Sequence, residues 1–187
     1  MPRTFEIILS VIISLPISFV IVVLIPICWI SQGRPIFFWS ERVGKNGQIF
    51  LMPKLRSMVD DAPLLSTDEI SDRHEDYITP LGRILRKYSL DELPQIFLVL
   101  SGSMALIGPR PSLPSQASLN DLRKRSGVER LRPGITGLAQ VVARDRASDS
   151  TKHRLDLLYA KNKTFLLDLK ILLITGWGVL SKKNVKH

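Results

Sequence analysis

Two adjacent carboxylates, Asp91 and Glu92, are the side chains best placed to do covalent or acid–base chemistry. Ser89 and Glu92 have the spacing of a capping box, and Pro94 suits the first turn of a helix, so we expect a helix to begin here. Both carboxylates would lie at its positive end, where they stay ionised and where a phosphate also binds. Capping alone would account for this pattern, but it does not require the upstream cations Arg83, Arg86 and Lys87.

Two turns rich in proline and glycine are the next candidates. In Gly108-Pro-Arg-Pro111 the prolines restrict the backbone around Arg110, which lowers the entropy lost when its guanidinium binds a phosphate. Arg132-Pro-Gly-Ile-Thr-Gly137 could present backbone N–H groups to an anion or merely reverse the chain. Arg144 lies in a mixed-charge cluster near the end of an expected strand. Taken singly, each motif is also explained as a surface turn.

The histidines and the single cysteine argue against a dedicated zinc site. His74, His153 and His187 have no partner at ligand spacing, and Cys28 lies inside an apolar stretch. One cysteine also excludes a disulfide framework and suits a reducing compartment. Magnesium needs only one or two carboxylates together with phosphate oxygens, and Asp91 could supply one.

An apolar segment near the start of the chain predicts attachment to a membrane. The 24 residues from Ile7 to Ile30 carry no charge, and roughly 20 suffice for a helix to cross the hydrocarbon core. Because Arg3 and Glu6 cancel, the formal net charge of +9 belongs to the remainder of the chain. This division excludes a plain soluble enzyme, an intrinsically disordered chain and a multi-span transporter.

Prolines and flanking charges suggest how the segment lies in the bilayer. Pro16 should break or kink the helix, and the nearby Ser14 hydroxyl could bond the freed carbonyl. Basic flanks stay in the cytoplasm, and both flanks are basic here. We therefore expect a re-entrant helix, broken near Ser14 and Pro16, that enters and leaves on the cytoplasmic face. The alternative is a kinked helix that crosses the bilayer. The basic flanking residues are Arg3 before the segment and Arg34, Arg42 and Lys45 after it.

Hydrophobic periodicity indicates a mostly helical α+β protein with a few short strands. Residues 1–32 would form the membrane-embedded helix, and residues 33–187 a small domain with amphipathic helices at the membrane interface. We expect an extended piece over 31–60, a solvated acidic segment over 59–79 and a turn with a short strand over 131–142. Helices are expected at residues 81–88, 93–100, 120–129 and 154–180.

Taken in order, these pieces resemble the bacterial sugar transferase family, the small monotopic phosphoglycosyl transferases. The resemblance covers almost the whole chain. At residues 138 and 142–144 the sequence differs from the usual pattern, in a region we associate with donor recognition, so the sugar stays open. The matching segments are the apolar helix broken near Pro16, Lys54–Met58, Ser89–Leu93, Gly108–Pro111, Arg132–Gly137, Ala139–Val141 and Phe165–Lys170.

The resemblance implies an enzyme of the bacterial inner membrane, with its catalytic domain on the cytoplasmic face. Such an enzyme moves a sugar-1-phosphate from a UDP-sugar to polyprenyl (undecaprenyl) phosphate, releases UMP and so initiates glycoconjugate assembly. Asp91 matches the nucleophile that forms an aspartyl-phosphosugar intermediate, with Mg²⁺ bound near it. Glu92 matches the second carboxylate, with an acid/base or a positioning role. The implied phosphate contacts are Lys54, Arg86 and Arg110, followed by Arg144.

Two other classes of function fit the charge of the chain less well. A membrane-anchored basic adaptor would bind acidic lipids or partners, but it has no need of the Asp91–Glu92 pair beside rigid arginine turns. A nucleic-acid binder is suggested by the isoelectric point of about 10.0, yet no nucleic-acid-binding motif is present. We therefore expect nucleotide-sugar and lipid partners and no nucleic acid.

Overall fold

The computed structural model describes residues 1–59, 62, 76–143 and 147–180, and it begins with one long helix, α1 (Arg3–Gln32). Among these residues α1 is the one helix long and apolar enough to cross a bilayer, and most of its surface is exposed. The helix continues through Pro16 and Pro26, so the prolines do not end it. Pro16 has no N–H to donate to the carbonyl of Ile12, four residues earlier. The Ser14 hydroxyl does not donate to that carbonyl either, because it donates to the Val11 carbonyl at 2.8 Å.

Both ends of α1 are bonded to the remainder of the protein. Near its start, an Arg3 guanidinium nitrogen donates to the Val99 carbonyl at 2.6 Å. The Glu6 carboxylate accepts from the Leu106 N–H at 2.7 Å. At its other end, the Gln32 amide donates to the Arg56 carbonyl at 3.1 Å. One face of α1 therefore packs along the domain, while the opposite face carries exposed apolar side chains.

An antiparallel hairpin follows α1. Strand β1 (Phe37–Val43) pairs with β2 (Ile49–Leu55) from Phe37 opposite Leu55 to Val43 opposite Ile49. The connecting turn places Asn46 and Gly47 at positive φ, a conformation that asparagine and glycine tolerate best. The hairpin confirms the extended piece predicted over residues 31–60, whereas the acidic segment predicted over 59–79 lies largely outside the described residues.

A short helical segment follows, and it differs from the expectation at one point. Helix α2 (Pro80–Lys87) begins at Thr79, whose hydroxyl accepts from the Gly82 N–H at 2.9 Å. A 3₁₀ turn (Leu90–Gln95) then leads into helix α3 (Ile96–Ser101). The capping box predicted at Ser89 is wrong. Ser89 has φ 53°, in the left-handed region, and its side chain makes no cap hydrogen bond.

In its described residues the second half of the protein forms two short strands and four α-helices. Strand β3 (Ala105–Ile107) pairs in parallel with β4 (Gly134–Thr136). Helix α4 (Ala117–Ser126) confirms the helix expected near 120–129, although it begins earlier. The remaining helices are α5 (Leu138–Val142), α6 (Asp149–Lys161) and α7 (Phe165–Leu180). The mostly helical α+β class is therefore confirmed.

Two predicted elements in this half are wrong. The short strand expected within 131–142 covers only β4, because residues 138–142 form α5 instead. The single helix expected over 154–180 is two helices, since α6 ends at Asn162 and α7 starts anew after Thr164. The Thr164 hydroxyl accepts from the Leu167 N–H at 3.2 Å, which caps the new helix and stabilises the break.

Two apolar clusters hold these elements together. The larger cluster joins β2, α3, β3, α6 and α7, and α1 packs on its edge. The smaller one consists of Cys28, Leu55 and Leu85, from α1, β2 and α2. The segment Leu90–Gln95 lies between them. The buried members of the larger cluster are Met52, Ile96, Val99, Met104, Leu106, Ile107, Tyr159 and Ile171.

The pairing of β3 with β4 requires glycine where the two turns of the sequence meet. A Cβ atom at Gly134 would lie 2.1 Å from the Gly108 nitrogen, and one at Gly108 would lie 2.3 Å from the Arg132 carbonyl oxygen. Both distances are far inside van der Waals contact. The backbones approach this closely because neither residue has a side chain.

We expect Gly134→Ala to destabilise the protein by about 1–3 kcal/mol or more, because the new methyl group must push two backbone segments apart. Thermal unfolding of the detergent-solubilised protein would measure the effect. Gly176→Ala is the matched control, since a Cβ there meets nothing within 4 Å. In helix α7 that change should stabilise by up to about 1 kcal/mol. Equal melting temperatures for the two variants would contradict this account of the turn.

Candidate active site

Asp91 and Glu92 lie in the 3₁₀ turn between α2 and α3, immediately after the left-handed Ser89. The left-handed residue ends the run of α2 and redirects the chain, so that the two adjacent carboxylates face the hairpin. Asp91 is buried and Glu92 is half-buried. This turn, and not a regular helix N-terminus, presents the predicted dyad.

Glu92 is held by two cations from distant parts of the chain. Its Oε1 atom accepts from Lys54 Nζ of β2 at 2.8 Å and from an Arg110 guanidinium nitrogen at 3.1 Å. Burial alone would raise the pKa of Glu92, but Lys54 and Arg110 outweigh it and hold this pKa well below its ordinary range. Glu92 is therefore ionised at neutral pH.

Asp91 has the opposite environment. Burial raises its pKa above the ordinary value, and the negative charge of Glu92 adds to that rise, while Lys54 and Arg86 oppose it. Within the described part of the chain the Asp91 carboxylate forms no ion pair. The two neighbouring carboxylates thus differ in pKa, a pattern typical of acid–base and nucleophilic sites.

Arg86 completes the cationic side of the site. It lies in the last turn of α2, and its Nε donates to the Ser57 hydroxyl at 2.9 Å. Burial lowers its pKa, while the negative charges of Asp91 and Glu92 act in the other direction. Arginine remains protonated under such shifts. The structure therefore brings together five of the six predicted site residues: Asp91, Glu92, Lys54, Arg86 and Arg110.

The Gly108–Pro111 turn is held from behind by groups that local sequence patterns did not indicate. The Arg110 carbonyl accepts from Arg123 at 2.9 Å, and the Pro111 carbonyl accepts from Arg42 at 3.4 Å. Arg123 itself donates from Nε and a terminal nitrogen to one carboxylate oxygen of Asp156, at 3.0 and 2.6 Å. These contacts fix the backbone from which the Arg110 side chain reaches Glu92.

Arg42 and Ser57 also belong among the residues that sequence reasoning missed. Burial, reinforced by the positive charge of Arg110, lowers the pKa of Arg42 to about 10. The sequence signalled Arg42 only as a flanking charge of the apolar segment. No local pattern links Arg123 with Asp156, because α4 and α6 meet only in the folded chain.

The Arg132–Gly137 motif does not join the carboxylates directly. Its Gly134 N–H donates to the Pro109 carbonyl at 2.9 Å, and its Thr136 carbonyl accepts from the Gly108 N–H at 2.9 Å. The side chain of Arg132 donates to the Gly102 carbonyl at 3.0 Å. The sequence left two roles open for this motif, anion binding and a structural turn. Its hydrogen bonds are those of the structural role, because they support the Arg110 turn.

Two further points concern metal ligands and cavities. Across residues 1–59, 62, 76–143 and 147–180 there is no group of three or more histidine, cysteine or acidic side chains able to hold a metal ion. Arg144 lies outside the described residues, so its predicted phosphate contact stays a prediction.

A cavity of about 460 Å³ lies behind the Arg110 turn, lined by Ser112 and Arg123 among others, but neither Asp91 nor Glu92 lines it.

We expect Asp91→Asn and Glu92→Gln to change stability in opposite directions at neutral pH. The pKa of Asp91 is higher in the folded protein than in the unfolded chain, so ionisation of this carboxyl lowers stability as the pH rises above about 3.8. Asp91→Asn cannot ionise there and should therefore melt at a higher temperature than the unsubstituted protein. The pKa of Glu92 is lower in the folded state, so its stabilisation is present above about 4.5 and is lost on acidification. Glu92→Gln should therefore cost about 1.5–3 kcal/mol, the loss of charged hydrogen bonds.

Thermal unfolding at pH 4 and pH 7.5 would test both directions. The difference between each variant and the unsubstituted protein should shrink at the lower pH, where the carboxyl groups become protonated in the unfolded chain. A lower melting temperature for Asp91→Asn at pH 7.5 would mean that its carboxylate is paired and stabilising.

Comparison with known proteins places the chain among sugar transferases. The family model described as bacterial sugar transferase matches residues 1–182. The uncharacterized sugar transferase EpsL of Bacillus subtilis (strain 168) is 35% identical over 188 residues, which cover 99% of this chain and 90% of that protein.

Two longer relatives carry names that state a reaction. The undecaprenyl-phosphate galactose phosphotransferase of Salmonella typhimurium is 35% identical over 96% of this chain, which spans 40% of that protein. The UDP-glucose:undecaprenyl-phosphate glucose-1-phosphate transferase of Xanthomonas campestris pv. campestris is 37% identical over 82% of this chain and 33% of its own length. The match over nearly the full length shows that this chain belongs to the bacterial sugar transferase family.

Proposed function

We propose that this protein transfers a sugar-1-phosphate from a UDP-sugar to polyprenyl phosphate and releases UMP. The observation that carries the proposal is the buried Asp91 carboxylate, which has no ion pair among the described residues although the charges of Lys54 and Arg86 act on it. The names of two relatives, a UDP-glucose:undecaprenyl-phosphate glucose-1-phosphate transferase and an undecaprenyl-phosphate galactose phosphotransferase, support the substrate classes.

The reaction would proceed in two displacements at one phosphorus atom. An oxygen of Asp91 attacks the phosphorus next to the sugar, and the bond from that phosphorus to the bridging oxygen breaks, so that UMP leaves with the electron pair. An oxygen of polyprenyl phosphate then attacks the same phosphorus and displaces the Asp91 carboxylate. No net proton transfer is needed, since one anion replaces another in each step.

The electrostatics of the site suit a carboxylate nucleophile. A carboxylate is a weak nucleophile, and both of its reaction partners are anionic, so the site must supply positive charge to bring them together. Arg86, Lys54 and Arg110 supply that charge. The desolvation that raises the pKa of Asp91 also removes the water that would otherwise shield its oxygen from the phosphorus.

Glu92 fits a positioning role better than an acid/base role. With its pKa held well below the ordinary range, it has no proton to donate at neutral pH and little tendency to accept one. Its one oxygen instead holds Lys54 and Arg110 together on the same side of the turn. These cations are thereby oriented for a diphosphate placed against Asp91.

The residues present also fit a bound Mg²⁺. Magnesium is satisfied by one or two protein carboxylates plus phosphate oxygens and water, and Asp91 offers a carboxylate that is not committed to an ion pair in the described chain. When bound, Mg²⁺ would neutralise charge on the diphosphate and so make UMP a better leaving group. Asp91 would be the protein residue that holds it.

The contacts of α1 support a helix that enters the membrane without crossing it. A 30-residue helix is about 45 Å long, more than the roughly 30 Å of the hydrocarbon core. Both of its ends hydrogen-bond to the same folded unit, at Val99 and at Arg56, which suits two ends on one side of the bilayer. Basic residues on both flanks favour the cytoplasmic side. A bend at Pro16 would let the helix dip into the lipid between these anchors.

Asp91→Asn should abolish UMP release from a UDP-sugar in the presence of polyprenyl phosphate, because the amide oxygen cannot displace UMP. The rate should fall by at least about a thousandfold, while association with membranes persists. Asp121→Asn is the matched control, because it alters an exposed carboxylate on α4 whose one ion pair among the described residues is with Arg125 at 3.8 Å. Turnover at the unsubstituted rate in Asp91→Asn would remove Asp91 from the mechanism.

A mass measurement distinguishes the covalent route from direct transfer. The protein incubated with its donor and Mg²⁺ but without polyprenyl phosphate should gain the mass of one phosphosugar, located on the peptide that contains Asp91. If UMP is released only together with the lipid product and no such adduct forms, direct transfer between the two substrates is the better account.

Single cysteines should show both ends of α1 on the cytoplasmic side. In a Cys28→Ala background, cysteines at positions 2 and 45 should both react with a membrane-impermeant maleimide in inside-out vesicles and not in intact cells. A cysteine at Phe19, which is 72% exposed, should react in neither, because it would lie in lipid. Labelling of positions 2 and 45 from opposite sides would establish a helix that spans the membrane.

A further inference from the structure

A second cavity, of about 230 Å³, lies at the start of α1, away from the carboxylate dyad. None of the predicted catalytic or phosphate-binding residues lines it. Its walls come from the first turn of α1, from β3, from the segment before β4 and from the segment that leads into α7. Among its lining side chains five are basic and two are acidic. The basic ones are Arg3, Lys45, Arg130, Arg132 and Lys163, and the acidic ones are Glu6 and Asp168.

The two acidic side chains are buried at the base of the cavity and are already satisfied. Glu6 accepts from Arg3 at 2.8 Å and from the Leu106 N–H at 2.7 Å. Asp168 accepts from the Tyr159 hydroxyl at 2.7 Å and from the amino group of Met1. These carboxylates therefore do not neutralise the other cations of the cavity.

Three of those cations lie exposed at the rim, with no acidic partner in the part of the chain that the structure describes. Lys45, Arg130 and Lys163 form no ion pair with any described residue. They come from the β1–β2 turn, from the segment after α4 and from the segment before α7, so the fold and not the sequence brings them to one opening. Like charges gathered around a concave surface repel one another and concentrate the local field, which an anion would relieve.

An exposed apolar surface adjoins this basic cavity. The Phe5 and Phe165 rings meet edge to face with centroids 5.4 Å apart, and they join the start of α1 to the start of α7. Ile8, Leu166 and Leu169, near the starts of the same two helices, are exposed as well. A phosphate in the cavity would thus lie next to a surface able to contact acyl chains.

We propose that this cavity binds the phosphate headgroup of an anionic membrane phospholipid. Charge complementarity selects an anion, and the continuous apolar surface across Phe5 and Phe165 selects one that carries hydrocarbon chains. The bound lipid would hold the first turns of α1 and α7 at the level of the headgroups. The inference uses the proposed membrane association of α1, but it concerns lipid binding and not the transfer reaction.

Native mass spectrometry of the full chain in a non-ionic detergent tests this site. Titration with phosphatidylglycerol should give one tightly held lipid, with phosphatidylcholine held at least about tenfold more weakly, since it carries no net charge. In Lys45→Gln/Arg130→Gln/Lys163→Gln the affinity for phosphatidylglycerol should fall about tenfold to a hundredfold, given the usual contribution of each basic residue. The variant Lys45→Arg/Lys163→Arg, which keeps the charge, should bind as the unsubstituted protein does.

A control variant on helices α4 and α6 removes the same number of positive charges as the triple variant at the cavity. Lys124→Gln/Arg125→Gln/Arg154→Gln removes three exposed cations from α4 and α6 and should leave the affinity unchanged. The proposal is overturned if both triple variants lose the lipid equally, which indicates a diffuse charge effect, or if neither does. It is also overturned if glycerol phosphate displaces the lipid at matched concentration, which indicates a site for soluble phosphate.

Polyprenyl phosphate supplies the remaining comparison. The rim variant is the triple variant Lys45→Gln/Arg130→Gln/Lys163→Gln. If it loses polyprenyl phosphate but still binds phosphatidylglycerol, the cavity belongs to the acceptor and the proposal is overturned. UMP release by the rim variant in detergent should equal that of the unsubstituted protein, because none of its three positions belongs to the catalytic machinery. Failure of the lipid site therefore leaves the transfer reaction untouched, and failure of the transfer reaction leaves the lipid site untouched.

Discussion

The candidate site depends on a single carboxylate oxygen of Glu92 that is shared between Lys54 and Arg110. This contact joins the hairpin, the 3₁₀ turn and the Gly108–Pro111 turn, which are otherwise separate parts of the chain. It also leaves the neighbouring Asp91 without an ion pair among the described residues, next to cations that another carboxylate has already oriented. The two acids thus divide the work: one holds the positive charge in place, and the other remains able to react.

A second layer of contacts makes that arrangement rigid. Prolines on both sides of Arg110 remove backbone donors, so the turn cannot hold itself by local hydrogen bonds. Donors from elsewhere bind its carbonyls instead, and one of them, Arg123, is oriented by the buried Asp156. A buried ion pair is weak evidence for stability, because desolvation offsets its attraction. Its effect here is geometric, since it determines where the Arg110 backbone lies.

The membrane-facing parts follow from the same balance of charge and apolar surface. The exposed face of α1 and that of α7 meet at Phe5 and Phe165, directly beside a basic cavity. In the carboxylate site Lys54 and Arg110 are bound to Glu92, whereas the exposed cations at the rim of the cavity form no ion pair with any described residue. A protein that works on one soluble and one lipid-linked phosphate needs both to be kept at the membrane surface.

The sequence alone determined the features that depend on neighbouring residues. The apolar length of α1, the helix α2 and the extended hairpin segment follow from spacing and side-chain chemistry within short segments. Spacing also made Asp91, Glu92 and Arg110 candidates, and the family resemblance favoured them over capping or a surface turn. The family resemblance rests on the same local motifs, and it implied the phosphate contacts of Lys54 and Arg86.

Tertiary structure decided what depends on contacts between distant segments. Ser57 beside Arg86, Arg123 on Asp156 and the cations around the cavity at α1 have no sequence signal, because packing and not spacing brings them together. Local preference also failed at residues 138–142, where a short apolar run suits strand and helix equally. It failed again at the break between α6 and α7, where the Thr164 hydroxyl caps a new helix. The Arg132–Gly137 turn shows the same division, since its glycines were visible in the sequence, but only the approach of β3 revealed why they are required.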